Sequence, residues 1–217
     1  LQSDLSSITT LASSGFISPR ELVGKTYASY KARYEVTIVQ ELVRHDGGHG
    51  DFTVSYPEKL GIWNTLLEGK ADATWIFDNW EGVEAATRGI ALQSFQLAAY
   101  GIPYGYSPVL IAKKEQLDAN KAVYKKCIAA IQKGYAFAQT HPEEATAILK
   151  NVVSERDRTH IDLAQTLAVT APHFGENGQH GFMEPARVHA FPHWLVNHEL
   201  EKEVILNQTL FTNELLS

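Results

Sequence analysis

The chain holds one cysteine, Cys127, and one methionine. A single thiol excludes an intrachain disulfide, a cysteine-rich zinc site and a thiolate-held iron–sulfur cluster. It leaves the redox compartment open, because exported proteins without disulfides also avoid cysteine. Basic residues are in the minority: 19 Lys and Arg stand against 25 Asp and Glu, a formal net charge of −6. That balance, with a pI near 5.8, argues against a broad nucleic-acid footprint. No apolar run approaches the roughly 20 residues of a membrane-spanning helix. There is no Gly-x-Ser-x-Gly elbow, phosphate-binding P-loop, Gly-x-Gly-x-x-Gly fingerprint or His-Glu-x-x-His pair. Internal repeats and low-complexity tracts are absent too. The chain opens on Leu1 rather than Met, which reads like the interior of a longer protein.

What is present is an ordinary globular composition, 44% hydrophobic and 20% charged over 217 residues. That length buries a sizeable core. Ile8 to Leu11 reads as a strand. Ser18-Pro19-Arg20-Glu21-Leu22 reads as a one-turn helix, with Ser18 as cap, Pro19 first and Glu21 closing a capping box. Lys25 to Tyr30 then reads as a strand and Tyr34 to Arg44 as a helix, with Val36, Val39, Leu42 and Val43 on one face. Phe52 to Val54 is a short strand. A helix opening at Pro57 carries Leu60, Trp63, Leu66 and Leu67. Ala73 to Phe77 has the apolar run of a buried parallel strand. Asn79 is placed to cap a helix through Thr87, and Leu92 to Leu97 is another strand. This alternation predicts an α/β unit with a parallel or mixed sheet.

Tyr100 to Pro108, rich in Gly, Pro and Tyr, reads as a linker, after which Val109 to Ala112 resumes as a strand. Helices are expected over 122–139, with Val123, Cys127, Ile131, Tyr135 and Ala138 as a stripe. Others are expected from His141 to Lys150, Ser154 to Ala171, Pro185 to Val196 with a kink at Pro192, and Leu210 to Leu216.

Ligands of open α/β sheets bind beyond the carboxyl ends of the strands. Tyr30-Lys31-Ala32-Arg33-Tyr34 holds such a position. A helix N-terminus flanked by two cations attracts an anion, and the competing reading is a solvated loop. Asp78 follows a buried strand among Trp75, Phe77 and Trp80. Its carboxylate is placed to accept from a ligand amine, with Trp80 as a stacking face, or else to cap the next helix. Tyr104 and Tyr106 offer ring faces from the linker, or pack as ordinary linker aromatics. His45 and His49, like His189 and His193, stand four apart, but Gly47, Gly48 and Pro192 interrupt the helices that a metal pair needs. Packing or solvent-exposed histidine is the better reading, and no metal or cofactor is expected.

Three stretches carry a family resemblance: Ser18-Pro-Arg-Glu-Leu-Val-Gly-Lys-Thr-Tyr-Ala-Ser-Tyr30, Tyr56-Pro-Glu-Lys-Leu-Gly-Ile-Trp-Asn-Thr-Leu-Leu-Glu-Gly-Lys-Ala-Asp-Ala-Thr-Trp75, and Asp78-Asn-Trp-Glu-Gly-Val-Glu84. With Tyr104 to Leu110 and Phe211 to Leu216, they make the chain resemble the thiamine-pyrimidine-precursor family. That family unites periplasmic binding proteins for formylaminopyrimidine-type ligands with fungal pyrimidine synthases. The resemblance implies an α/β fold of the periplasmic-binding-protein type II. Two lobes would meet at a hinge, and the first lobe would be incomplete at its N-terminus. Residues 1–22 and 106–217 would form lobe one, and 23–105 lobe two with its crossover.

The synthases carry a cysteine-rich iron-binding stretch where this chain has Gly105-Tyr106-Ser107-Pro108, so synthase activity is not expected. They also hold a phosphate with a Gly-rich loop where this chain has Tyr30-Lys31-Ala32-Arg33. The resemblance therefore implies a substrate-binding protein of a transport system, capturing a thiamine pyrimidine precursor by lobe closure and handing it to a membrane permease. Its ligand-binding residues would be Tyr30, Lys31, Arg33, Tyr34, Trp75, Asp78, Trp80, Tyr104 and Tyr106. The alternatives are a synthase-like enzyme, or a same-fold binder of sulfonate, nitrate or flavin. A periplasmic or cell-surface location is expected, cytoplasmic for a synthase. A homodimer through an exposed lobe-one sheet edge is a further expectation.

Overall fold

The computed structural model describes residues 2–58, 62–175 and 179–216, with nothing said of the side chains at 62–64. The chain forms two compact units, Leu5–Pro103 and a second made of Leu1–Asp4 with Tyr104–Ser217.

The Leu5–Pro103 unit is built on one five-stranded sheet. Its strands are β1 (Ser6–Leu11), β2 (Thr26–Ala28), β3 (Thr53–Ser55), β4 (Ala73–Phe77) and β5 (Leu92–Gln96), in the order β3-β2-β4-β1-β5. β2 runs parallel to β3 and β4, while β1 runs antiparallel to both β4 and β5. The sheet is therefore mixed, and the carboxyl ends of β2 to β5 lie with the amino end of β1. Asp72 locks the β2–β4 register, its carboxylate accepting from the Thr26 N–H at 2.8 Å while its own N–H donates to the Thr26 carbonyl at 2.7 Å.

The helices of this unit are α1 (Glu35–His45), α2 (Ile62–Leu67) and α3 (Val83–Thr87). α1 buries Ile38, Val39, Leu42 and Val43. Val36, expected on that face, is only half-buried. The helix ends at Asp46, and Gly47 takes the left-handed turn at φ 89° that a side chain disfavours. α2 starts later than Pro57; Leu60 falls outside the described residues, as does the Trp63 side chain, and Leu66 is buried. Ser18 opens the expected single turn, Pro19–Leu22, where Glu21 accepts from the Ser18 N–H at 2.9 Å and the Ile17 N–H at 2.7 Å. Ile8, Tyr27, Val39, Leu42 and Ile76 centre the core.

The division differs from the expected one at its front. Residues 5–22 belong with the sheet and not with 106–217, because β1 makes ladders on both sides, to β4 and to β5.

The other unit is helical: α4 (Lys114–Ala119), α5 (Lys121–Thr140), α6 (Pro142–Val152), α7 (Glu155–His160), α8 (Leu163–Thr170) and α9 (Pro185–Asn197). Among the described residues its β structure is one isolated bridge, Ser3 to Tyr106. The strand expected at 109–112 is therefore not formed: those residues have no ladder to join, and Ile111 is 91% exposed. For the same reason the described residues of this unit form no sheet edge of the kind expected to pair with a second copy.

The helix expected over 154–171 is two helices, because Asp162 caps α8, accepting from the Ala164 and Gln165 N–H groups at 3.0 Å. The expected last helix is a turn. Asn213 instead pins this segment to Met183, accepting from its N–H at 3.1 Å and donating to its carbonyl at 2.8 Å. On the α5 stripe Val123 and Cys127 are exposed, while Tyr135 packs on Phe174 with ring centroids 4.3 Å apart.

Ile8 is fully buried between two strands. Ile8→Ala should cost about 2–5 kcal/mol of unfolding free energy. Asp162→Ala should cost about 1 kcal/mol. Urea denaturation of each variant measures both.

Candidate functional site

The site grows from the carboxyl ends of β2 and β4, which are neighbours in the sheet. After β2 the chain must turn sharply into α1. Lys31 makes that turn with φ 63°, a left-handed conformation that costs a side-chain-bearing residue. Side chains hold it there. Glu35, buried in the first turn of α1, accepts from the Tyr30 N–H at 2.9 Å and the Ala32 N–H at 3.1 Å. It also accepts from the Tyr27 hydroxyl at 2.8 Å. Between those amides the Lys31 N–H donates to Ser29 Oγ at 3.0 Å.

The cations of this loop lie over rings. Lys31 Nζ sits 5.2 Å from the Tyr56 ring centroid, and the Arg33 guanidinium 4.9 Å from that of Tyr34. The expected anion-binding loop is thus a loop whose amides at 30, 31 and 32 already hold partners from their own segment. Tyr30 remains exposed at 40%, and its phenol is pushed well up by burial first, then by the Glu81 and Glu35 carboxylates.

After β4 the chain makes a wide turn, Asp78–Gly82, before α3. Glu81 folds back to accept the Phe77 N–H at 2.9 Å. Asp78 does not cap the following helix. Its N–H donates to the Leu5 carbonyl at 2.8 Å. Its carboxylate accepts from Ser7 Oγ at 2.6 Å and from the Gln96 side chain. So β1 and β5, the strands to one side of β4, hold this acid in place. Burial pushes the Asp78 carboxyl up, the Ser7 and Gln96 hydrogen bonds pull it down, and the net direction is upward. Trp75 and Trp80 are both half-buried, in β4 and in the wide turn respectively.

Sequence reasoning missed Ser7, Glu35 and Gln96. The pattern of β1 carries a signal for Ser7: buried Ser and Thr hydroxyls usually find partners, as Ser7 and Thr9 do, whereas Thr10 Oγ1 has none.

Tyr104 and Tyr106 belong to the other unit and are engaged inside it. Tyr104 meets Phe191 edge-on at 5.1 Å. Tyr106 Oη accepts from the Glu184 N–H at 2.9 Å, and Arg187 lies over its ring at 4.5 Å while donating to Ser3 Oγ at 3.0 Å. The structure therefore brings Tyr30, Lys31, Arg33 and Tyr34 together in one loop, and Trp75, Asp78 and Trp80 on the adjoining strand and turn.

A family profile described as NMT1/THI5 like matches residues 1–145. The chain belongs to that family. It is 25% identical over 166 residues to the formylaminopyrimidine-binding protein of Halalkalibacterium halodurans, matching 76% of this chain and 49% of that protein. The chain thus spans about half the length of this relative. Solved ligand-binding proteins share the fold. The alkanesulfonate-binding protein SsuA from Xanthomonas axonopodis pv. citri, bound to MOPS, aligns with a TM-score of 0.67 at 14% identity, over 93% of this chain and 68% of that one. The ligand-binding component of an ABC-type import system from Staphylococcus aureus aligns with a TM-score of 0.65 at 16% identity, over 92% and 66%.

Folding favours the protonated form of Asp78, so the stability this group contributes is present below the unfolded value of about 3.9 and is lost as pH rises through the folded pKa. Asp78→Asn should therefore be more stable than the parent at pH 7, with the difference vanishing toward pH 4. Urea midpoints at the two pH values check this, and an Asn variant less stable at pH 7 would contradict it.

Proposed function

We propose that the chain is the ligand-capturing part of a substrate-binding protein serving an ABC-type importer. Its ligand is a pyrimidine-like heterocycle bearing an amino group, of the kind from which thiamine's pyrimidine is made. One observation carries the ligand class: a half-buried carboxylate, Asp78, is held by Ser7 and Gln96 at the carboxyl end of the sheet. A carboxylate fixed in that way accepts from an N–H donor and repels an anion. Trp75 in β4 and Trp80 in the wide turn are half-buried and Tyr30 is 40% exposed, and rings of this kind offer stacking faces to a heterocycle. The family membership and the relative that binds formylaminopyrimidine support the same class.

Such a protein works outside the cytoplasmic membrane, in the periplasm or at the cell surface, and delivers its ligand to a permease. Tyr104 and Tyr106 have structural partners in their own unit and are weaker candidates for the ring-stacking role than the two tryptophans.

Calorimetric titration with formylaminopyrimidine and hydroxymethylpyrimidine tests the reading. Saturable binding of at least one is expected. Asp78→Asn should weaken it by about ten- to a hundredfold, the worth of one charge-assisted hydrogen bond. Absence of binding to either pyrimidine would overturn the ligand class.

A further inference from the structure

Three successive backbone amides, at Tyr30, Lys31 and Ala32, converge where β2 turns into α1. Amides in such a turn, next to the positive end of an 11-residue helix, form a concavity that attracts negative charge. Here the negative charge is already supplied from within. The Glu35 carboxylate reaches back from the first turn of α1 and takes two of the amides, and Ser29 takes the third. Glu35 is 3% exposed, and its third hydrogen bond, from the Tyr27 hydroxyl, ties it to a residue that is itself 1% exposed. The carboxylate is fixed by the core and does not swing aside as a surface side chain would.

We propose that Glu35 is a specificity-determining residue: its carboxylate fills the amide turn at the start of α1, so this end of the site rejects sulfonate- and phosphate-bearing ligands and accepts uncharged or amine-bearing ones.

The surroundings point the same way. The inner acids at this end of the sheet are Glu35, Asp78 and Glu81, all buried or half-buried, whereas the cations, Lys31 and Arg33, are exposed. β1, β4 and β5 carry no charged residue of either sign. The outer cations lie over Tyr56 and Tyr34, so a ligand that passes them and reaches the strand ends faces fixed negative charge. The inference rests on the proposed reading that ligands bind at the carboxyl ends of β2 and β4, and it adds the charge class that the site turns away.

The test uses inorganic phosphate and methanesulfonate as probes. In the wild-type protein the Tyr30 and Ala32 amide resonances should stay unmoved as either anion is added. In the double variant Tyr27→Phe/Glu35→Ala, which also removes the buried hydroxyl that loss of Glu35 alone would leave unpaired, anion affinity should rise at least about tenfold. The gain should fall with ionic strength. Saturable shifts of the wild-type Tyr30 and Ala32 amides would overturn the proposal. A folded double variant with unchanged anion affinity would overturn it as well. Should the double variant not fold, the wild-type amide titration decides alone. Both arms read Glu35 without any pyrimidine, so a failure of pyrimidine binding is a separate result.

Discussion

β1 is an interior strand that runs against both its neighbours, and nearly every residue of it is buried although four of its six are Ser or Thr. Hydroxyls in that position must find partners or cost the desolvation of an unmet hydrogen bond. Ser7 lies 3.1 Å from Thr9 Oγ1, which in turn lies 2.9 Å from Ser94 Oγ, so the hydroxyls form a chain across to β5. The end of that chain is Asp78, with Ser7 donating to it. The constraint that makes the strand tolerable in the core is thus the one that holds the acid at the carboxyl end of β4. Positions 5–11 tie strand pairing and site geometry to one segment.

Acids recur as local organisers elsewhere in the chain. Asp72 sets the β2–β4 register, Glu21 closes the first turn, Glu35 shapes the loop before α1, and Asp162 starts α8. Each accepts from backbone N–H groups that have no partner in a regular element, which is where a carboxylate is worth most. The overall acidity of the chain therefore says little about its ligand, since many of these charges serve the backbone.

The elements written in one local pattern were legible. Ala73 to Phe77 reads as a buried strand and is β4, and the capping box at Ser18 forms as its spacing predicts. Elements decided by a distant partner were not. An apolar run at 109–112 that includes β-branched Val109 and Ile111 has strand propensity, yet propensity forms no strand without a ladder beside it. Asp162 and Asn213 each interrupt an apolar helical pattern through side-chain hydrogen bonds, one to amides two and three residues on, the other to Met183 thirty residues away. That Tyr30 to Tyr34 and Asp78 lie just beyond the carboxyl ends of strands was legible, and they follow β2 and β4 in the fold. The organisation of the site was not, because Ser7 and Gln96 come from strands far from Asp78 in sequence, and because Glu35 looks like any acid in the first turn of a helix.

Charge selection and fold separate cleanly here. Sheet order, crossovers and helix starts are common to many solute-binding proteins, and likeness at 14% identity fixes only those. On the proposed reading, ligand charge is set by a few groups at the strand ends, where an amide turn at a helix start is by itself attractive to anions. To reverse that preference, a chain needs one acidic side chain long enough to reach back over its own first turn and a buried partner to keep it there. Glu35 and Tyr27 meet both conditions, at the expense of a left-handed Lys31 that places the amides in reach. Strain of this kind persists only where the surrounding contacts over-determine it, and the three Glu35 hydrogen bonds with the Ser29 bond supply that over-determination.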